Sequence, residues 1–81
     1  MDRDKFILLC QKASFKQHFS GAWWQTKWND DELVSWNGSK YVPIDYRFGF
    51  QKGTPRHLAI VHDLKADCEY TILLSEIEEC Q

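Results

Sequence analysis

Apolar positions recur with two different periods along this chain. Between residues 3 and 19, Phe6, Leu9, Cys10 and Ala13 fall at i, i+3, i+4 and i+7, a single stripe on an α-helix. Leu8, Phe15 and Phe19 fall at i, i+7 and i+11. At about 100° per residue this second stripe lies on nearly the opposite side, with Lys5, Lys12 and Lys16 filling one flank between the two. Asp2 can cap the helix start and Gly21 can supply its stop. A helix that is apolar on two sides needs two partners. One is the domain's own sheet. For the other, three arrangements are open: the tryptophan-rich segment after Gly21 folds back on it, the helix ends near Ala13 and Phe15 sits in a bent segment, or a second protein chain covers it.

From Glu32 onward the period becomes two. Val34 and Trp36 precede Asn37-Gly38, a pair that tolerates positive φ and predicts a type I′ hairpin turn. Val42, Ile44, Tyr46, Phe48 and Phe50 would then share the core face of a strand, with Tyr41, Pro43, Asp45 and Arg47 on the other. Pro43 cannot donate to a ladder, so the strand is an edge there or is bulged. Residues 51–55, QKGTP, read as the next turn. His57 to Leu64 reads as a central strand, because Ala59 and Val61 are apolar opposite Leu58 and Ile60. Glu69 to Leu74 reads as a last strand, and Ser75-Glu76-Ile77-Glu78 matches a capping box that predicts a short helical turn at the tail. The expected fold is a single α+β domain over residues 1–81, an N-terminal helix packed on a three- to four-stranded antiparallel β-meander.

Between helix and strands lies GAWWQTKW, residues 21–28. Trp24 and Trp28 share a face in either a helix or a strand, so spacing does not settle the structure of residues 21–32. Asn29, Asp30, Asp31 and Glu32 follow as an acidic loop or turn. Aromatic residues make up 15% of the chain. Each buried ring removes roughly 150–250 Å² from water, so core filling is the default use of the tryptophans.

Charge and cysteine content narrow the function classes. A net charge of −2 lacks the dense basic surplus of duplex-binding domains. Three cysteines, Cys10, Cys68 and Cys80, form no close pair, which fits a reducing compartment better than a disulfide framework. The apolar run Phe6 to Cys10 is too short for a membrane span or signal core, and a cytoplasmic location is expected. No cofactor is implied. His57 and His62, five apart on a strand, point to opposite faces and seed no zinc site, so no metal is expected. His62 and Asp63 likewise diverge and cannot form a triad-type pair beside Cys68. No nucleophile elbow, Walker loop or HExxH is present, and a non-enzymatic protein is expected.

Three binding readings remain. Trp23, Trp24 and Trp28, with Phe15 and Phe19 of the second helix stripe, form a candidate anchor for a protein partner, or for a second copy of the chain in a homodimer. Arg47, Lys52 and Arg56 surround the second hairpin turn and form a candidate nucleic-acid site, with Tyr46 and Phe48 as stacking rings unless they are buried. Indole rings flanked by Gln25, Asn29 and Asp30 would also suit a sugar, but such modules are mostly secreted and no export signal is visible.

The stretch WNGSKYVPIDYRFGFQKGTPRHLAIVHDLKADCEYTILLSEIEE, residues 36–79, resembles short uncharacterised proteins encoded by prophages and other mobile elements of Gram-positive bacteria. The shared pattern is a Tyr-x-Pro stretch, a hairpin turn, HLAIVHDLKA and a final strand. The resemblance implies a small accessory or regulatory protein that binds a host or phage protein. It implies no functional residue, and it leaves the helix and the tryptophan segment outside.

Overall fold

The computed structural model describes residues 1–22 and 25–80. Helix α1 runs from Arg3 to Ser20. The Asp2 carboxylate accepts the Lys5 backbone N–H at 3.1 Å, satisfying one of the unpaired donors of the first turn. Gly21, at φ 86°, ends the helix and donates its N–H to the Gln17 carbonyl at 2.9 Å. The helix therefore does not stop near Ala13. The stripe Phe6, Leu9, Cys10 and Ala13 is buried throughout, and the helix continues past it to the stop at Gly21.

Five antiparallel strands follow: β1 (Val34–Trp36), β2 (Ser39–Gln51), β3 (Thr54–Asp63), β4 (Cys68–Leu73) and β5 (Glu78–Glu79). Their order in the sheet is β4-β3-β2-β1-β5. The first four form the meander. The tail adds the fifth strand, returning to the free side of β1 with Val34 opposite Glu79 and Ser35 opposite Glu78. A 3-10 turn over Leu74–Glu76 precedes it, without a side-chain cap. The expected helical turn at Ser75 thus starts one residue earlier and gives way to pairing. The fully buried Ile77 and the chain's own amino terminus fix this route: the Met1 ammonium donates to the carbonyls of Leu74 (3.2 Å) and Ile77 (2.9 Å).

Phe6 sits in a core of Leu9, Cys10, Val34, Tyr41, Ala59, Val61, Ile72, Leu74 and Ile77. A smaller cluster joins Ala13, Leu33 and Val42, with Trp28 and Ile44 packed against it. Over this second cluster the Lys16 ammonium bonds Glu32 at 2.6 Å and lies 5.3 Å from the Trp28 ring centre. Burial works against the Glu32 charge, but Lys16 and the Asn29 backbone N–H outweigh it and hold this carboxyl below the usual range.

Pro43 does mark a bulge. The register shifts between Pro43 and Asp45, so Val42 pairs with His62 whereas Tyr46 pairs with Ala59. Paired residues share a face and neighbours along a strand alternate, so Val42 and Tyr46 lie on opposite faces of the sheet. The single core face expected for Val42, Ile44, Tyr46, Phe48 and Phe50 is therefore broken at the bulge. Strand β3 has neighbours on both sides, but β4 reaches along it only to Leu58, and β1 reaches along β2 only to Tyr41. Beyond those points β2 and β3 continue as a two-stranded ribbon to a turn at Lys52-Gly53, in a molecule measuring 41 × 24 × 21 Å.

Candidate functional site

Among the described residues, two aromatic surfaces stand out once the core is filled. The first is the outer face of α1. Leu8 is half-exposed, and Phe15 and Phe19 are 69% and 73% exposed. One helical turn apart, their rings pack on each other at 4.8 Å between centres, and the His18 ring meets Phe19 edge-on at 5.3 Å. Among the described residues after Gly21, none covers this stripe. Trp28 folds back onto the Ala13 side instead, half-buried against the smaller cluster and beneath Lys16. The structure thus brings Phe15 and Phe19 together and turns Trp28 toward the interior. Trp23 and Trp24 lie outside the described residues.

The second surface is the ribbon. Cross-strand pairing puts Tyr46, Phe48 and Phe50 on one face with Ala59, His57 and Pro55. The Tyr46 hydroxyl lies 2.5 Å from His57 Nδ1, with the two rings stacked. Phe48 packs on His57 at 5.2 Å and on Phe50 at 5.3 Å. Phe48 and Phe50 are nonetheless 54% and 70% exposed, so the expectation that they belong to the core is corrected. Their part of the ribbon lies past the end of β4, where the sheet offers them no third strand to pack on.

Arg47 and Arg56 sit on the other face, Arg47 opposite Leu58 and Arg56 opposite Gly49. Arg47 also pairs with Asp45 at 3.2 Å. Lys52 occupies the turn itself at φ 51°. The three basic residues named from sequence therefore gather on the ribbon, but the two arginines point away from the exposed rings. Residues 46–57 carry three Lys/Arg and no Asp or Glu, but residues 5–29 carry four lysines and no acid either, so charge alone did not single out the ribbon.

No protein-family model, curated protein or solved structure matches the chain. The function must therefore be read from these side chains.

Other chemistry-bearing residues are placed apart. His62 is buried, with Nε2 3.2 Å from Asp67 Oδ1. It pairs across strands with Glu69, while Cys68 pairs with Asp63. Among the described residues no three His, Cys, Asp or Glu side chains converge as a metal site. Cys10, Cys68 and Cys80 are free thiols, and burial, aided by the Asp45 carboxylate, pushes the Cys10 thiol up to about 12. No helix among the described residues is long and apolar enough to cross a membrane.

Proposed function

We propose that the chain is a small, non-enzymatic, cytoplasmic accessory or regulatory protein that acts by binding another protein. The observation that carries this reading is the exposed Phe15–Phe19 pair on a helix whose opposite stripe is fully used by the core. Two phenyl rings in tilted contact on one helix offer a preformed apolar anchor, and buried aromatic anchors at interfaces are worth roughly 2 kcal/mol or more each. Trp23 and Trp24 adjoin the helix in sequence and would extend the anchor, whereas Trp28 is committed to the Ala13 side. The resemblance of residues 36–79 to proteins of prophages and mobile elements supports a host or phage protein as the partner.

The test compares the native chain with the Phe15→Ser/Phe19→Ser double variant in capture from a lysate of the source cells. Both positions are exposed, so the variant should keep the native circular dichroism spectrum. A specific polypeptide held by the native chain in both low and high salt, and released by the double substitution, is the expected result. Equal retention by the folded variant removes the helix as the docking surface.

A second reading, binding of single-stranded nucleic acid, is favoured by one observation. Phe48 and Phe50 are exposed rather than buried, beside Arg47, Lys52 and Arg56. The two arginines project from the opposite face, so a strand stacked on the rings would meet Lys52 and His57 but neither arginine. That arrangement separates the stacking platform from most of the charge that tracks a phosphate backbone.

A further inference from the structure

We propose that the outer edge of β2 from Asp45 to Gln51 pairs antiparallel with the same edge of a second copy of this chain, about a two-fold axis at Phe48. Three features of the ribbon converge on a self-partner. The first is an open ladder. Beyond Tyr41, β2 has β3 on one side and, among the described residues, no strand on the other. An unpaired edge of this length presents a row of backbone donors and acceptors that another strand can complete.

The second feature is the direction of those groups. Counted from the hydrogen-bonded Gln51–Thr54 pair at the turn, Tyr46 is in a non-hydrogen-bonded pair with Ala59, so its N–H points to the open side, where the Asp45 carboxylate accepts it at 2.8 Å in a bond that pairing would replace. By the alternation of an antiparallel ladder, the N–H groups of Phe48 and Phe50 point the same way. With the axis at Phe48, the backbone of this residue would exchange hydrogen bonds with that of Phe48 in the second copy.

The third feature is side-chain self-complementarity. In this register Phe48 meets Phe48, and the half-buried Tyr46 meets Phe50 of the other copy, so the two exposed rings gain cross-strand partners on one face. On the opposite face Arg47 meets Gly49, so like charges are not directly opposed. An axis at Arg47 would oppose the two arginines. Pro43 and the bulge after it end the pairing on one side, and the Lys52-Gly53 turn ends it on the other. A two-stranded ribbon is marginal alone, and the dimer would convert two such ribbons into one four-stranded sheet.

Sedimentation equilibrium over a concentration series tests the proposal. The native chain should approach twice its 9.6 kDa mass. Phe48→Glu, which sets two carboxylates against each other at the axis, should return the mass to the monomer value with an unchanged far-ultraviolet spectrum. Phe48→Cys should form a disulfide between equivalent positions under mild oxidation, identified by peptide mapping, and this decides the matter if Phe48→Glu does not fold. A native chain that stays monomeric at every concentration overturns the proposal, as does a monomer that takes up oligothymidylate through Phe48. Dimerisation that survives Phe48→Glu in the folded chain also overturns it. So does dimerisation abolished by Phe15→Ser/Phe19→Ser instead, which would move self-association to α1.

Discussion

Cys10 shows how one buried side chain sets a pH dependence for the fold. Its thiol, ordinarily near 9.0, is raised to about 12 by burial and then by the Asp45 charge. Above the ordinary value the unfolded chain releases this proton while the folded chain still holds it. The unfolded state then binds fewer protons, so stability falls as pH rises from about 9 toward 12 and is fully present below that window. Urea unfolding followed from neutral pH into the alkaline range should show that decline, and Cys10→Ala should flatten it. In the native state a thiol reagent should modify Cys68 and Cys80 first, and Cys10 after denaturant is added. The sequence marked Cys10 as part of the buried stripe, because i+3/i+4 spacing is a local property of the helix. It could not supply Asp45, which is thirty-five residues away and is brought near by the packing of α1 on β2.

At the level of elements, α1 and the turns were the most legible. Asp2 caps α1, Gly21 stops it and four apolar positions define its buried side, all through interactions within a few residues. The Asn37-Gly38 turn has φ of 49° and 79°, as that pair predicts. Lys52-Gly53 adopts nearly the same values, 51° and 79°, although Lys pays a steric penalty at positive φ. Lys52→Asn should therefore stabilise the ribbon by up to about 1 kcal/mol, measured as a higher urea midpoint at unchanged slope. The true extent of β2 and β3 was harder to see. QKGTP reads as loop, yet Gln51 pairs with Thr54 and Phe50 with Pro55. Pro55 is tolerated because β4 does not reach that far along β3. Strand β5 is two residues long, too short to leave a period, and depends on the free side of β1.

For the whole molecule, charge and shape decide between binding modes. The chain is net acidic, and on the acid-free ribbon of residues 46–57 the arginines and the exposed rings face apart. Binding to an oligonucleotide should accordingly be weak and should vanish steeply as salt is raised, whereas association through Phe15 and Phe19 or through the β2 edge should persist. Fluorescence anisotropy of labelled oligothymidylate across a salt series checks this, and tight, salt-resistant binding would restore the nucleic-acid reading to first place. The sequence by itself determined the α+β class, the helix with its buried stripe, the hairpin turns and the central place of β3, because each rests on a local period or a local φ preference. Tertiary structure alone decided which apolar residues were surplus. Burial depends on how far neighbouring elements reach: β4 stops at Leu58, so Phe48 and Phe50 are left open, and Trp28 packs toward Ala13, so Phe15 and Phe19 are left open as well.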